Sequence, residues 1–460
     1  MSSYFFSPLQ RRSLALCLGD IVLILFSFIA SMAIRVVLYE GGEMHEILGR
    51  FNYMYVVLVG VHLLYFYIFG MYDSTTSDSP GKIILSSSIS VLASLLTIAI
   101  FFYLLNVKNV GRVIFFLHFV ILLALILVWR TVFSWLASKT KRKILIVGDE
   151  NTQEYITRAY LESLQKEFAE IAYFNGNGNG NGRSSILKSI DSHLNGHDPS
   201  RFSVLFTRYN ELPPDIADAL VDLQIRGVEV NGLTQYSKKY LGKVPVDDTD
   251  LSTLMHLSKT VSNSTHRVKR LMDFVFSLAA LLILSPVLLL VAASIKLDSK
   301  GPVLYVQKRM GQNGKEYTCL KFRTMVKDAE KAGPQWARRG DGRVTRVGKI
   351  LRSTRMDELP QFLNVLRGEM SVVGPRPIRK YFEDMYVNDV QYYKLRHLVK
   401  PGITGWAQVN QVDPRTDNGV KERLEYDLFY IVNMSVFLDL FIGLKTARAL
   451  ISKMGKDSAI

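Results

Sequence analysis

The run LMDFVFSLAALLILSPVLLLVAASI, from Leu271 to Ile295, decides the fold of this chain, because it is predominantly apolar and is interrupted by Ser285-Pro286. By length alone it predicts a helix that crosses a membrane. Proline, however, has no backbone donor, clashes with the preceding turn and restricts the residue before it. A break there leaves arms of about 14 and 10 residues, roughly 21 and 15 Å long, and each is too short for a ~30 Å hydrocarbon core. The run by itself leaves a kinked spanning helix and a re-entrant hairpin equally open.

Positive charge is concentrated on the C-terminal side of this run. The formal net charge of the 460-residue chain is +15, and residues 261–460 hold 33 Lys and Arg against 19 Asp and Glu. Such a basic segment suits anionic lipid headgroups, pyrophosphates or nucleic acid. The sequence lacks a recognisable nucleic-acid-binding module, so we expect no nucleic-acid partner.

Four further apolar runs precede the first one, and each has the length that a helix needs to cross a ~30 Å core. They cover about residues 13–38, 53–72, 83–105 and 113–136. Basic residues flank the set at both ends, which predicts that both ends lie in the cytoplasm. We therefore predict a transmembrane α-helical bundle over residues 1–138, retained as an anchor because the first run lacks a small-residue cleavage site.

Three polar residues, Asp20, Arg35 and His62, lie within or near these apolar runs. A charge inside a membrane is a functional candidate by default. The simpler interpretation is that Asp20 pairs within the bundle and that Arg35 reaches the interface. We expect the bundle to be an anchor.

Residues 139–260 predict a middle α/β domain of Rossmann-like type without a dinucleotide fingerprint. A β-branched run at 143–147, further strand-like runs at 171–174, 203–207 and 228–231, and intervening helical stretches indicate a parallel sheet. The turn after the first strand holds only one glycine, Gly148, and two carboxylates, so it does not predict NAD binding. The Asn-Gly repeats at 175–182 are typical of a flexible loop. No ligand is predicted for this domain.

The two cysteines, Cys17 and Cys319, are far apart in the sequence. They give neither a disulfide framework nor a metal cluster, which fits a reducing cytoplasm.

Adjacent carboxylates, Asp357-Glu358, stand just before Leu359-Pro360 in the basic segment. Transfer of a phosphorylated group needs a nucleophile, a metal to neutralise a pyrophosphate, and cations for the charge that develops on phosphate oxygens. The two carboxylates could supply the first two, and neighbouring Lys and Arg the third. By spacing alone they could equally cap a helix ahead of Pro360.

From Lys269 onward the sequence resembles the bacterial sugar transferase family, the monotopic polyprenyl-phosphate hexose-1-phosphate transferases. The resemblance rests on many short blocks in order. They are Lys269–Asp273, Ser285-Pro286, Ser299-Lys-Gly-Pro302, Gln307-Lys-Arg-Met-Gly311, Lys321-Phe-Arg-Thr-Met325, Arg352-Ser-Thr-Arg-Met-Asp-Glu-Leu-Pro-Gln361, Asn364–Pro377 and Lys400-Pro-Gly-Ile-Thr-Gly-Trp-Ala-Gln-Val-Asn410. The bundle and Rossmann-like module ahead of them match the large form of this family.

The resemblance implies a membrane protein with a C-terminal, mostly α catalytic domain over residues 261–460, built on a re-entrant membrane helix at 269–296. The implied reaction moves a sugar-1-phosphate from a UDP-sugar to polyprenyl (undecaprenyl) phosphate, gives UMP, and begins a glycan such as exopolysaccharide or O-antigen. Nucleotide-sugars are cytoplasmic, so this chemistry favours the re-entrant path, at the cytoplasmic face of the bacterial inner membrane. The sequence does not decide whether the protein forms a homo-oligomer.

The resemblance also implies the site residues. Asp357 is the expected nucleophile, forming a phosphosugar intermediate, and a ligand of Mg²⁺, a cation that prefers carboxylate and phosphate oxygens. Glu358 is expected to position the metal or to handle protons. The expected substrate-binding residues are Lys321, Arg323, Arg352, Pro375, Arg376, Pro377 and Asp427. Arg376, in the Gly374-Pro-Arg-Pro377 loop, is expected on the diphosphate side, whereas Asp427 could equally be a helix-surface carboxylate.

Two positions depart from the pattern of many family members. Gln411-Val412 stand where many have Gly-Arg, and Lys400 stands where many have Arg. Both lie in a region expected to touch substrate, so they bear on the identity of the sugar and not on the reaction.

Two other functions were weighed. A sugar-nucleotide dehydratase or reductase would need the glycine fingerprint that the middle domain lacks. A catalytically silent scaffold would be expected to have lost Asp357, Glu358 or the cations, yet all are present.

Overall fold

The structure is a computed structural model. It describes residues 8–35, 52–72, 80–104, 112–139, 142–147, 156, 164–165, 168–174, 188, 202–206, 214–247, 249, 263–329, 333, 341–413 and 418–456. The chain forms two compact units, Met1–Leu241 and Gly242–Ile460. The glycine-poor turn at 148–152 and the Asn-Gly repeats at 175–182 lie outside the described residues.

Four apolar helices open the first unit, as the sequence predicts. They are α1 (Pro8–Arg35), α2 (Asn52–Ile68), α3 (Pro80–Leu104) and α4 (Arg112–Lys139). Stretches of α1, α3 and α4 are long and apolar enough to cross a membrane, whereas the 17-residue α2 is at the lower limit. Residues such as Ile24, Phe66, Ile98 and Ile126 form the shared core of the bundle, and many other large apolar side chains point outward. Apolar residues both in the bundle core and on the outer surface are typical of helices surrounded by lipid.

Asp20 has a partner inside the bundle. Its Oδ2 lies 2.5 Å from Nη2 of Arg130, and Arg130 Nη1 donates to the carbonyl of Met71 at 2.9 Å. Asp20 is therefore paired within the bundle, in agreement with the simpler interpretation of this residue, although its Oδ1 is buried without a hydrogen-bond partner.

A four-stranded parallel sheet follows in the first unit, with strand order β2-β1-β3-β4. Its strands are β1 (Arg142–Val147), β2 (Phe168–Phe174), β3 (Phe202–Phe206) and β4 (Glu229–Gly232), and α5 (Pro214–Ile225) precedes β4. Leu145 and Val147 pack against α5, while Ile144 and Ile146 pack in a second core on the other face. Burial on both faces explains why β1 is a continuous apolar run. A short helix α6 (Leu233–Tyr236) and a π-helical turn (Ser237–Leu241) end the unit.

The second unit is mostly helical. Its helices are α7 (Asn263–Asp298), α8 (Arg346–Ser353), α9 (Gln361–Arg367), α10 (Lys380–Asp389), α11 (Trp406–Val409), α12 (Gly419–Asn433) and α13 (Val436–Lys456), with 3₁₀ turns at Gln312–Gly314, Met356–Glu358 and Tyr393–Leu398. An antiparallel pair joins β5 (Leu304–Met310) to β6 (Glu316–Phe322), and a parallel pair joins β7 (Ser371–Val373) to β8 (Gly402–Thr404).

Helical conformation in α7 continues through Pro286, and the re-entrant path of this run stays a prediction. Proline at this position leaves the carbonyl of Leu282 without its usual backbone donor. The Ser285 hydroxyl donates to that same carbonyl at 2.8 Å. The Ser-Pro pair therefore carries its own replacement hydrogen bond, which lets the helix continue.

Most of the surface of α7 is left exposed by the residues that the structure describes. Only 11% of its apolar stretch is buried, and Leu282, Ile283, Leu289 and Leu290 are each about two-thirds exposed or more. By length and composition the helix could cross a membrane. Near its C-terminal end, Val291 and Ile295 pack with Phe322 and Leu351. This small core fixes α8 and β6 relative to the helix.

The segment 242–247 belongs to the second unit. Val244 and Val246 pack in its main core, and their amides donate to the carbonyl and to the side chain of Glu425 on α12. The indole of Trp406 donates to the carbonyl of Gly242 at 2.6 Å. The second unit thus begins directly after Leu241.

Candidate active site

Asp357 and Glu358 lie in the 3₁₀ turn Met356–Glu358, between α8 and α9. The Thr345 side chain caps α8 by accepting from the Gly348 amide at 3.0 Å. After α8 the chain turns at Arg355, whose φ of 60° is left-handed, a conformation that non-glycine residues rarely adopt. This turn buries both carboxylates, leaving Asp357 9% and Glu358 6% exposed.

Glu358 is held between two cations. Its Oε1 lies 2.7 Å from Lys321 Nζ and 2.7 Å from Arg376 Nη2. Arg376 Nη1 approaches Oε2 at 3.4 Å, so the guanidinium addresses both oxygens. Glu358 is therefore an anchor for two cations, and its lone pairs are largely occupied.

Asp357, by contrast, accepts no hydrogen bond and makes no ion pair with any of the residues that the structure describes. Burial, and next the negative charge of Glu358, raise the pKa of its carboxyl, against the opposing effect of Lys321. The Asp357 oxygens are not among the fully buried atoms that lack a hydrogen-bond partner, so solvent or a ligand can reach them. Asp357 is consequently the carboxylate in this pair that is available for chemistry.

The pKa of Glu358 is shifted in the opposite direction, downward. Burial acts to raise the pKa of its carboxyl, but Arg376 and Lys321 outweigh burial and hold the pKa well below its usual range. Burial lowers the pKa of Lys321 even though Glu358 acts against it. Two neighbouring carboxyls with their pKa values pushed apart are typical of sites where the two play different chemical roles.

Asn364 fixes the distance between the Asp357-Glu358 turn and Lys321. Its Oδ1 accepts from the Leu320 amide at 3.0 Å, and its Nδ2 donates to the Thr318 carbonyl at 2.7 Å. The fully buried amide thereby ties α9, which follows the turn, to β6, which carries Lys321. The Lys321–Glu358 pair is positioned by this bridge.

The Gly374-Pro-Arg-Pro377 loop presents Arg376. Its shape depends on two glycines, because a Cβ on Gly374 would lie 2.4 Å from the carbonyl oxygen of Lys400, and one on Gly402 would lie 2.1 Å from the Gly374 amide nitrogen. The Pro375 carbonyl accepts from the Gly402 amide at 2.9 Å. Close backbone contact between β7 and β8 therefore sets the path of the loop.

A second ion pair stands behind this loop. Arg396 Nη2 lies 2.8 Å from Asp427 Oδ2 and also donates to the carbonyl of Arg376 at 2.9 Å. Both partners are almost completely buried. Asp427 is thus a buried acid rather than the helix-surface carboxylate that the sequence left open, and it holds Arg396 against the loop.

A recess lies beside the loop. Apolar and cationic groups line it together, a combination that suits a nucleotide diphosphate. Its volume of about 10 Å³ holds only a water-sized group, so a nucleotide would lie across its mouth. Its lining comprises Met310, Pro375, Arg376, Pro377, Ile378, Arg396, His397, Val399 and Pro401.

Parts of this chain are similar to known protein sequences. The family model described as bacterial sugar transferase matches residues 264–453. A Caulobacter vibrioides protein named UDP-glucose:undecaprenyl-phosphate glucose-1-phosphate transferase is 40% identical over 220 residues, 46% of this chain and 82% of that protein. The Rhizobium leguminosarum bv. phaseoli exopolysaccharide production protein PSS is 46% identical over 181 residues, 38% of this chain and 90% of that protein.

The chain belongs to the bacterial sugar transferase family.

Other relatives match over a smaller share of their length. An Aeromonas hydrophila UDP-N-acetylgalactosamine-undecaprenyl-phosphate N-acetylgalactosaminephosphotransferase is 39% identical over 228 residues, which is 50% of this chain and 53% of that protein. The chain therefore spans about half the length of this relative. A second family model, described as a CoA-binding domain, matches residues 67–186.

Two of the predicted site residues of this sugar transferase lie apart from the Glu358 cluster. Arg323 donates to the carbonyls of Ser299 at 2.8 Å and of Lys300 at 3.1 Å, which directly follow the C-terminal end of α7. It thereby supplies donors to backbone carbonyls at that helix end. Arg352 donates through Nε to the Thr324 hydroxyl at 2.9 Å. Pro377 contributes a carbonyl that accepts from Arg309 at 2.9 Å. The structure gives Arg323 and Arg352 contacts that shape the loop after β6.

Two cations near the site were missed by sequence reasoning, Arg396 and Arg423. No local pattern marks Arg396, because its partner Asp427 is 31 residues away along the chain. Arg423 precedes Asp427 by four residues in the run KERLEYD (421–427). That spacing is a usable signal, since residues four apart share a helix face.

Proposed function

We propose that this sugar transferase moves a sugar-1-phosphate from a UDP-sugar to polyprenyl phosphate, giving polyprenyl-diphosphate-sugar and UMP. The observation that carries the proposal is the buried Asp357 carboxylate without a partner, beside a Glu358 that is occupied by Lys321 and Arg376. The names of the Aeromonas and Caulobacter relatives describe the same reaction type on two different sugars. The Rhizobium name supports a place in exopolysaccharide production, and O-antigen synthesis would use the same first step.

In the first step, a carboxylate oxygen of Asp357 attacks the phosphorus that carries the sugar. A new P–O bond forms on Asp357, the P–O bond to the nucleotide breaks, and UMP leaves with that electron pair. In the second step, an oxygen of polyprenyl phosphate attacks the phosphosugar on Asp357. The acyl–phosphate P–O bond then breaks, which returns Asp357 to its free carboxylate.

The surrounding cations suit both steps. Lys321 and Arg376 are held next to Asp357 by Glu358 and would meet the charge that develops on phosphate oxygens. Because these groups are fixed before substrate arrives, little reorganisation is needed in the transition state. Glu358 acts as a positioning residue here.

The residues of the site could hold a Mg²⁺ ion only together with substrate phosphates. The described residues contain no group of three or more metal-ligating side chains. Mg²⁺ is commonly held by one or two carboxylates together with substrate phosphates and waters, and Asp357 is the acid with free oxygens. When bound, the ion would neutralise part of the pyrophosphate charge. Asp357 and the phosphates of the substrate would hold it.

The recess beside the Gly374–Pro377 loop is the candidate nucleotide site. Pro375 and Pro377 offer rigid apolar walls, while Arg376 and Arg396 offer guanidinium groups. A membrane location follows from the exposed apolar α7 and the four N-terminal helices. We further propose that α7 follows a re-entrant path, with the second unit at the cytoplasmic face of the inner membrane, where UDP-sugars are found.

The direct test is to incubate the purified protein in detergent with Mg²⁺, polyprenyl phosphate and a panel of UDP-sugars, and to measure UMP. UMP release that requires both a UDP-sugar and the lipid, and that is lost in Asp357→Asn, supports the proposal. The member of the panel that is used fastest identifies the sugar. No UMP from any UDP-sugar, by protein that unfolds cooperatively, would contradict the assignment.

A further inference from the structure

Arg423 is a buried cation that the proposed mechanism does not use. It lies on α12, one turn before Asp427, and is 8% exposed. Its Nη2 is buried and has no hydrogen-bond partner within the described part of the chain. A buried guanidinium normally has its donors satisfied, because an unpaired charge is costly in a protein interior.

The carboxylate whose charge acts on Arg423 is Asp427, and it is already occupied. Asp427 accepts from Arg396 at 2.8 Å, so two guanidinium groups stand around one acid. Burial, and next the charge of Arg396, lower the pKa of Arg423 to about 10, while Asp427 acts in the opposite direction. At neutral pH Arg423 is still protonated. Among the described residues Arg423 therefore has no acid of its own, since Asp427 is held by Arg396 and the buried Glu383 pairs with His397.

Arg423 does not line the recess itself, but it lies one turn from Asp427 on α12, and Asp427 pairs with Arg396, which does line it. Arg376 and Arg396 line that recess, and both are among the charges that act on Arg423. Arg376 is held by Glu358, and Arg396 by Asp427. Arg423 is the member of this trio that has no such acid of its own among the described residues. An anion in or next to the recess would give the Arg423 guanidinium a partner.

We propose that Arg423 binds a phosphate group of the substrate, and that this bound anion supplies the missing partner of its guanidinium. The inference rests on the proposed function, since it takes the phosphate to come either from the nucleotide diphosphate or from the polyprenyl phosphate. Guanidinium groups suit such a ligand because their planar donors match phosphate oxygens. The loop with Arg376 makes the nucleotide the first source to test.

The test uses the full chain in detergent and three variants. Arg423→Met removes the charge and keeps the length of the side chain, and Arg423→Lys keeps the charge. Arg367→Met removes an exposed arginine of the same unit and serves as the matched control. For each protein, thermal unfolding and the dissociation constants of UDP and of polyprenyl phosphate are measured at two salt concentrations.

We expect Arg423→Met to unfold, without ligand, at the wild-type temperature or above, because the substitution removes an unpaired buried charge. Its affinity for one of the two phosphate ligands should fall by about tenfold or more, with partial rescue by lysine. The salt dependence of that affinity should weaken too. Loss confined to UDP identifies the nucleotide as the source, and loss confined to polyprenyl phosphate identifies the lipid. Arg367→Met should match the wild type throughout.

Two results would overturn the inference. One is unchanged affinity for both ligands in Arg423→Met. The other is a lower unfolding temperature without ligand that lysine does not rescue, which would make Arg423 a structural residue. Failure of the proposed function is distinguishable, because it would appear as wild-type protein that binds UDP through Arg423 but releases no UMP with any sugar in the panel.

Discussion

Replacing Glu358 by glutamine should destabilise the second unit strongly, although the two side chains have nearly the same shape. The carboxylate is 8% exposed at its side chain and accepts from Lys321 and Arg376, both at 2.7 Å. Removing one partner of a buried pair leaves uncompensated charge and typically costs about 3–5 kcal/mol. Because Arg376 is 26% exposed and can be partly hydrated, we expect about 3 kcal/mol.

The matched control is Glu316→Gln. Glu316 pairs with Lys308 at 3.7 Å, and the two side chains are 37% and 80% exposed. Such surface pairs contribute about 0–1 kcal/mol. For a unit of this size each kcal/mol shifts the melting temperature by about 2–4 °C, so Glu358→Gln should lower it by about 6–12 °C more than does the control.

The pH dependence of this difference has a definite sign. The folded-state pKa of Glu358 is held well below its usual range, so the stabilisation is fully present above the ordinary glutamate pKa. It is lost as the pH falls through the lower folded-state value. Thermal unfolding of both variants, followed by near-ultraviolet circular dichroism from neutral to acidic pH, measures the difference. Equal melting temperatures for the two variants at neutral pH would refute the reasoning.

Three further outcomes are expected. Arg376→Ala should reduce kcat/KM for the UDP-sugar at least tenfold, since one charge-assisted phosphate contact is worth about 1.5–3 kcal/mol; unchanged kinetics would remove Arg376 from the site. Pro286→Ala restores the backbone donor to the Leu282 carbonyl and should favour a membrane-spanning path of α7 over a re-entrant one. The segment near residue 330 would then lie outside, which labelling of an engineered cysteine there reports. External labelling without the Pro286 substitution would contradict the re-entrant model. As the pH is lowered, UMP release should begin to fall at a pH above the ordinary aspartate pKa, because burial and Glu358 raise the pKa of Asp357. In Glu358→Gln this fall should occur at lower pH, because the charge of Glu358 is gone.

Much of the architecture follows from local patterns. The four N-terminal apolar runs and the β-branched run at 143–147 predicted α1 to α4 and β1, because apolar length and strand composition are local properties. Pro286 shows what local patterns leave out. The sequence shows that proline removes a backbone donor, but only the structure shows that the Ser285 hydroxyl donates to the Leu282 carbonyl and that helical conformation continues.

The sequence predicted the residues of the site but not which of them form ion pairs with one another. The resemblance drew attention to Asp357, Glu358, Lys321 and Arg376, yet no sequence pattern indicates that Glu358 rather than Asp357 holds both cations. That choice depends on the left-handed turn at Arg355 and on the Asn364 bridge between α9 and β6. Long-range ion pairs are set by tertiary structure, and for the same reason Arg396 escaped notice.

The central claim is that Asp357 forms a covalent phosphosugar intermediate, and a mass measurement tests it most directly. Enzyme mixed with Mg²⁺ and the UDP-sugar that it uses, without polyprenyl phosphate, should gain the mass of one phosphosugar and release one UMP. The adduct should lie on the peptide that contains Asp357 and be sensitive to hydroxylamine, as an acyl phosphate is. Asp357→Asn should give neither adduct nor turnover, whereas Glu358→Gln should still form some adduct.

The competing mechanism is direct attack of polyprenyl phosphate on the bound UDP-sugar, with the carboxylates holding only the metal. That route gives no adduct, and it gives no UMP until the lipid is added. The account predicts the adduct in lipid-free enzyme at a rate no slower than turnover. Unmodified protein in that measurement, from a preparation that transfers normally once polyprenyl phosphate is supplied, would contradict it.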